Sequence, residues 1–474
     1  MMMETHTLLA FLTLLLGFYM AWNIGANDVA NAMGTSVGSK ALTLKKAVFL
    51  AAILEFSGAF FVGSSVSETI QHGIINPSLF VGAPQDFVLG MLGSLLATGI
   101  LLQLASYFGL PISTTHAIVG AVLGFGLIAG GPDAVQWHVI WEIAASWVLS
   151  PFLSAIVSYL IFSLIQRKIF YALDPLAASK RLAPFFVFLC FSVLSWSLLS
   201  GGLVDLHFNV SLPGSIGLAL ACAGTASFIT YWLVQKPARI TLRSASDFLP
   251  EQAVGLEKAM HHLQRVYLSN SNNAIREKVS AALAQVRDLA MQAKKSAPFT
   301  SSTTQYQGVE KIFVSLQILS ACLVAFAHGA NDVANAIGPV NAVLVALKSN
   351  SIGAQTLVPP WLLALGGAGI VLGLATWGWR VIETIGSKIT ELTPTRGFSA
   401  EFGAAATILA ASKLGLPIST THALVGAVFG VGMARGLQAL NLKTLLDILV
   451  SWLVTIPLCA LFSVAIFTFL RWVF

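Results

Sequence analysis

Two short polar strings occur twice in an otherwise apolar chain, and their side chains could do chemistry. Gly25 to Ala32 reads Gly-Ala-Asn-Asp-Val-Ala-Asn-Ala, and Gly329 to Ala336 repeats it letter for letter. Each copy sets one carboxylate between two amides: Asp28 with Asn27 and Asn31, and Asp332 with Asn331 and Asn335. An ionised Asp near a bilayer centre costs about 2.5–3.5 kcal/mol on insertion scales, so two such groups mark an ion or substrate path. Carboxylate, amide and carbonyl oxygens are hard ligands, suited to Na+ or to a proton site. Gly25, Gly329, Gly34 and Gly338 flank the motifs and are expected to let each helix unwind and expose carbonyls. Close packing of small residues, with Asn as interhelical glue, is the competing explanation. It leaves the two Asp unexplained.

The second string is Pro111-Ile112-Ser113-Thr114-Thr115-His116, repeated at Pro417-Ile418-Ser419-Thr420-Thr421-His422. Proline suits the first turn of a helix, and Ser or Thr suits its exposed donors. Free N–H groups, hydroxyls and the positive end of a helix dipole together bind anions without Lys or Arg. Gly109 and Gly415 are expected to break the preceding helix. Two such half-helices aimed at one point would hold an oxyanion with Ser113, Thr114, Thr115, Ser419, Thr420 and Thr421. A plain capped helix start in a loop is the alternative.

An anion beside two Asp favours one that carries protons. Phosphate at neutral pH offers hydroxyl hydrogens to a carboxylate, whereas sulfate in its common form offers none, and a bound cation offsets charge. Two further acids, Glu55 and Glu401, are candidates for coupling or transport. They are not repeat equivalents. Matching the hexapeptides sets Glu401 against Leu95, and matching Glu68-Thr69-Ile70 with Glu383-Thr384-Ile385 sets Glu55 against Ile370. His116 and His422 read as hydrogen-bonding residues of the half-helices, without the convergent ligands of a metal site. Gly34 to Lys40 lacks the spacing of a nucleotide-binding phosphate loop. The four cysteines lie in apolar segments without metal-like spacing. No nucleophile–base pair is visible, so the chain does not read as an enzyme, and no cofactor is expected beyond Na+ as a candidate coupling ion.

Composition sets the elements that must hold these groups. Of the 474 residues, 56% are hydrophobic and 10% charged, with a mean hydropathy of +0.81. A soluble chain averages about 25% charged residues, so lipid must be the solvent for most of this one. The net charge of +6 does not imply nucleic acid: 11 of the 26 Lys and Arg lie between Lys236 and Lys311, and none between Ala47 and Gln166. That distribution is topology information. The first apolar stretch, with no preceding Lys or Arg, is expected to be a mature helix rather than a cleaved signal.

Twelve apolar segments are candidate crossings, near 7–24, 47–68, 87–108, 111–130, 138–165, 183–200, 214–235, 312–328, 360–380, 398–414, 417–434 and 445–470. Basic stretches placed in the cytoplasm put the N-terminus outside. Seven crossings then separate the two Asp motifs, so the copies enter from opposite sides as an inverted-topology repeat. The parity holds unless the first hexapeptide alone forms a re-entrant hairpin. The expected fold is an all-α polytopic membrane protein of about twelve helices, with the hexapeptides as half-helices or re-entrant hairpins. Residues 1–165 form the first repeat, 166–238 additional membrane helices, 239–307 a cytoplasmic segment and 308–474 the second repeat. Within the polar segment, two amphipathic helices flank the turn Ser269 to Asn273, and a linker follows from Ser296 to Thr304.

These paired strings resemble the signature repeats of the inorganic phosphate transporter (PiT) family, over both membrane halves. The resemblance implies cation-coupled uptake of phosphate, with Na+ or H+, across the cytoplasmic membrane by a multi-pass homodimer. It maps essential aspartates onto Asp28 and Asp332, functional serines onto Ser113 and Ser419 with the adjacent threonines, and important glutamates onto Glu55 and Glu401. A sulfate permease of the same fold and a passive anion channel remain the alternatives.

Overall fold

A computed structural model describes residues 2–108, 112–202, 211–234, 250–269, 273–296, 301–349, 357–378, 393–435 and 442–474. Gly109, Pro111, the string Glu383-Thr384-Ile385, residues 235–249 and most of the Gly201–Pro213 loop lie outside them. The chain is all-α. In order come α1 (Met2–Gly38), α2 (Leu44–Val62), α3 (Ser64–His72), α4 (Pro84–Phe108), α5 (Thr114–Gly130), α6 (Trp137–Ile165), α7 (Pro175–Ser197) and α8 (Leu212–Val234). Then follow α9 (Pro250–Ser269), α10 (Asn273–Ser296), α11 (Ser301–Ser349), α12 (Pro360–Gly373), α13 (Pro394–Lys413), α14 (Thr420–Arg435) and α15 (Leu442–Val473).

Among the described residues, eight helices are long and apolar enough to cross a membrane. A ninth crossing results if α2 and α3, bent by 63° at Gly63, form one span. Spanning needs about 20 apolar residues. α5 and α14, with 17 and 16 residues, fall short of that length, so each hexapeptide opens a short helix rather than a full-length one.

Two compact units divide the chain. One comprises Leu164–Phe185 and Phe228–Ile312 and contains α9 and α10, packed against each other. Both amphipathic helices are thus present, and Arg276 lies 4.7 Å over the Tyr267 ring. The linker is shorter than expected, because α11 is already helical from Ser301.

The other unit, Met1–Ser163, Phe186–Ser227 and Phe313–Phe474, contains both motifs. The helix carrying each Asp motif does not unwind, contrary to expectation. α1 runs unbroken through Gly25 and Gly34, and α11 through Gly329 and Gly338. An α-helix satisfies its own backbone groups, and in an apolar interior that outweighs the freedom of single glycines. Here glycine serves close approach. A Cβ on Gly25 would lie 1.9 Å from the Ile370 carbonyl oxygen, and one on Gly373 would lie 1.8 Å from that of Trp22. The second half repeats this crossing with the elements exchanged. A Cβ on Gly329 would meet the Glu55 carbonyl oxygen at 2.0 Å, and one on Gly58 would meet that of Phe326 at 1.9 Å. So α1 crosses α12 as α11 crosses α2, with Ile370 and Glu55 at matching positions.

Because helix backbones touch at these points, Gly25→Ala and Gly329→Ala should each lower the thermal unfolding midpoint of the detergent-purified protein by about 5 °C or more. Gly217→Ala on α8, with nothing within 4 Å, should leave it unchanged. Fluorescence-monitored unfolding of the three variants checks this, and equal midpoints would refute the close-contact account.

Candidate functional site

The unbroken helices set the motif side chains in register. Asp28, Asn31 and Thr35 fall on one face of α1, and Ser320, His328, Asp332 and Asn335 on one face of α11. Asp28 is 1% exposed and Asp332 0%. Oxygens of both carboxylates and a ring nitrogen of His328 all lie within 4.8 Å of one another. The fold thus joins two residues some three hundred positions apart in a single buried cluster.

The amides tie this cluster to the hexapeptides. Asn27 Nδ2 donates to Asp28 Oδ1 at 3.0 Å and to the Ile112 carbonyl at 3.2 Å, and Ser106 donates to Asn27 Oδ1 at 3.3 Å. In the other half Asn331 Nδ2 donates to Ser412 Oγ at 3.0 Å and to the Leu416 carbonyl at 3.3 Å. The third residue of each motif crosses over. Asn31 donates to Thr421 at 2.8 Å, and Asn335 to Thr115 at 3.2 Å and Thr114 at 3.4 Å. Asn31 also donates to Asp28 Oδ1 at 3.2 Å, and Thr420 donates to Asp332 Oδ2 at 3.0 Å. Among the described residues, four buried oxygens of the motif Asp and Asn side chains have no donor: Asp28 Oδ2, Asp332 Oδ1, Asn331 Oδ1 and Asn335 Oδ1.

Both hexapeptides start helices as expected. Ser113 and Ser419 are the caps, accepting from His116 N at 3.2 Å and His422 N at 3.3 Å. Gly415 adopts a φ of +68°, which ends the preceding α13 and turns the chain. The two helix starts meet. Thr115 Oγ1 donates to the Ile418 carbonyl at 2.9 Å, Trp147 Nε1 donates to the Pro417 carbonyl at 3.0 Å, and the His116 and His422 rings stand edge to face at 4.5 Å. The threonine hydroxyls are engaged with protein groups here. An anion entering this point would exchange those bonds for its own.

The two glutamates part company. Glu55 Oε1 lies 3.3 Å from His328 Nδ1, and His328 Nε2 lies 3.1 Å from Asp332 Oδ2. These are ion-pair distances without hydrogen-bond geometry at either ring nitrogen, and an imidazole there offsets one of the three neighbouring carboxylates when it is protonated. Glu401 sits apart from that centre. Its Oε1 accepts from Thr35 at 2.5 Å, Ser36 at 2.7 Å and Gln317 at 3.3 Å, and its Oε2 from Ser320 at 2.5 Å. Thr35 and Ser320 lie on the motif-bearing faces, so Glu401 is linked to the Asp pair along α1 and α11 rather than by contact.

His328 is the residue that sequence reasoning missed. A signal existed: Trp22-Asn23-Ile24 precedes the first Asp motif and Phe326-Ala327-His328 the second. His328 stands where the other copy has Ile24, and Glu55 where it has Ile370, so the α11–α2 crossing holds a polar pair at positions that are apolar at the α1–α12 crossing.

Comparison with known proteins identifies the family. Residues 24–463 match the phosphate transporter family. A protein named a phosphate permease in Chlamydia pneumoniae is 46% identical over 98% of this chain and 99% of its own length. The inorganic phosphate transporter 2-1, chloroplastic, of Arabidopsis thaliana is also 46% identical, over 98% of this chain and 72% of its own. A solved structure titled the sodium-dependent phosphate transporter superposes with a TM-score of 0.79 at 36% identity, covering 98% of this chain and all of that one. With both signature strings in the matched span, the chain belongs to the phosphate transporter family.

Proposed function

We propose that the chain imports inorganic phosphate across the cytoplasmic membrane by symport with a cation, Na+ or H+, through alternating access. The observation that carries this is the convergence of Asp28 and Asp332 with Thr114, Thr115, Thr420 and Thr421 at two facing helix starts. Helix N-terminal N–H groups and threonine hydroxyls take the anion's oxygens, and a carboxylate accepts a phosphate hydroxyl. Ser113 and Ser419 hold the starts open to it as caps. The cation takes the four oxygens left without donors, on Asp28, Asp332, Asn331 and Asn335, with Asn27 and Asn31 orienting them. That all-oxygen set suits Na+, as does the name of the sodium-dependent relative.

The architecture proposed is an inverted-topology repeat of about twelve crossings, counting α5, α13 and α14, that works as a homodimer. Its support is the exchanged crossings of α1 with α12 and α11 with α2. Both Asp are shielded from solvent, so substrate reaches them only when one repeat rocks or a gate opens against the other. Glu55, through His328, and Glu401, through Thr35 and Ser320, are placed to sense the occupied site and couple it to that movement.

Labelled phosphate uptake into proteoliposomes under imposed Na+ or pH gradients tests this reading. Asp28→Asn and Asp332→Asn should each lower uptake about 100-fold. Normal transport and coupling in both variants would sink the proposed site. His328→Ala, which strands Glu55 beside Asp332, should lower uptake at least about tenfold. Excess sulfate should leave phosphate uptake intact. Strong competition would favour a sulfate permease, and flux without accumulation against a gradient would favour a channel.

A further inference from the structure

α6 and α15 carry one pattern. Ser146-Trp147 on α6 matches Ser451-Trp452 on α15, and in the same register Ser150, Ser154, Ala155 and Ser158 match Thr455, Cys459, Ala460 and Ser463. Packing follows that register. The Pro151 and Ala155 carbonyls meet Gly426 and Gly430 of α14, and the Ile456 and Ala460 carbonyls meet Gly120 and Gly124 of α5. Each hexapeptide helix is thus backed by a helix with small polar side chains four residues apart.

The two rows differ in what they meet. On α15, Ser463 Oγ lies 3.1 Å from Ser94 Oγ of α4. On α6, Ser150, Ser154 and Ser158 are 3%, 0% and 0% exposed, and none of the three hydroxyls has a hydrogen-bond partner among the described residues. α13 borders this row, since a Cβ on Gly403 would lie 2.0 Å from Ser158 Oγ. Matching the hexapeptides sets Ala400 of α13 against Ser94 of α4, so the hydroxyl that ties one row is a methyl beside the other. Serines elsewhere in these helices return to the carbonyl four residues back, as Ser67 does to Gly63 and Ser94 to Gly90. Ser146 bonds the Ile143 carbonyl at 2.7 Å, whereas Ser150, Ser154 and Ser158 make no such bond. Alanine would fill the same space without a buried polar group, so apolar packing does not account for three serines in register.

We propose that Ser150, Ser154 and Ser158 form a water-binding track that lines the cytoplasmic release route of the transported ions. Water both donates and accepts, and bridges polar groups that no side chain reaches. The track starts one turn beyond Trp147, whose ring lies 3.8 Å from that of His116 at the hexapeptides. It continues for about 12 Å along α6, toward Arg167 and Lys168, the basic residues that mark the cytoplasmic end. The α15 row, by the same inversion, leads to the opposite face and is tied to α4. The inference rests on the transport reading above and on its crossing order.

Two measurements on the full-length protein test it. With Cys190, Cys222 and Cys322 replaced by Ser, one variant keeps Cys459, and another carries Ser154→Cys with Cys459→Ser. A membrane-impermeant maleimide should modify Ser154→Cys in inside-out vesicles about tenfold faster than in right-side-out ones, and should not modify Cys459 from the inside. No reaction of Ser154→Cys from the inside, with or without Na+ and phosphate, overturns the proposal. The combined variant Ser150→Ala, Ser154→Ala and Ser158→Ala should keep or raise the thermal midpoint while slowing phosphate uptake about tenfold at unchanged KM. Wild-type uptake by that variant also overturns it. Labelling reads water access without transport. A chain that labels from the inside but takes up no phosphate therefore refutes the transport reading and keeps the track.

Discussion

Two carboxylates share a buried site, and the surrounding structure is organised around their repulsion. Asp28 and Asp332 oxygens lie within 4.8 Å of each other. At an effective dielectric constant of about 20, two unit charges at that distance repel by about 3–4 kcal/mol. A helix N-terminus returns about 0.3–1 kcal/mol to a nearby negative charge, so the two hexapeptide helices do not balance it alone. The threonine and asparagine donors and the His328 bridge add to that compensation. Four oxygens of the motif side chains still lack donors among the described residues, and the proposed cation would answer both that deficit and the remaining charge. The same arithmetic links the proposed ions. The anion is tolerated beside two Asp only if positive charge arrives with it.

The repeat supplies the geometry, and departures from it supply direction. Exchanged crossings of α1 with α12 and α11 with α2 bring both Asp motifs to the middle of one unit, each facing the other half's hexapeptide. A perfectly symmetric site would have no reason to treat its two sides differently. Here the α11–α2 crossing places His328 and Glu55 where the α1–α12 crossing places Ile24 and Ile370, and Glu401 has Leu95 as its match. These differences make one crossing polar where its counterpart is greasy. They are the groups in which the two sides of the site differ chemically.

Much was legible before any coordinates, because it depends on local rules. Composition required lipid as the solvent. The duplicated strings marked Asp28, Asp332 and the hexapeptide hydroxyls as the chemical groups, and a Pro-x-Ser-Thr-Thr pattern announces a capped helix start whatever surrounds it. The match of Glu55 with Ile370, drawn from a three-residue alignment, reappears in the packing at Gly329 and Gly25. The glycines were less legible. Their freedom to unwind a helix is a local property, whereas their use here, letting another helix's carbonyl approach, depends on a neighbour distant in sequence.

The sequence by itself thus determined the class of solvent, the duplication, and which residue types carry charge and hydrogen-bonding capacity. Tertiary structure alone decided that the two Asp meet, that Asn31 and Asn335 each reach the opposite hexapeptide, and that Glu55 joins the site while Glu401 stands off from it. His328 shows why. In the chain it is one histidine in an apolar run, four residues before an aspartate. It becomes a bridge only because α2 crosses α11 closely enough to bring Glu55 to its other nitrogen, and that proximity is a property of packing between segments that the order of residues does not state.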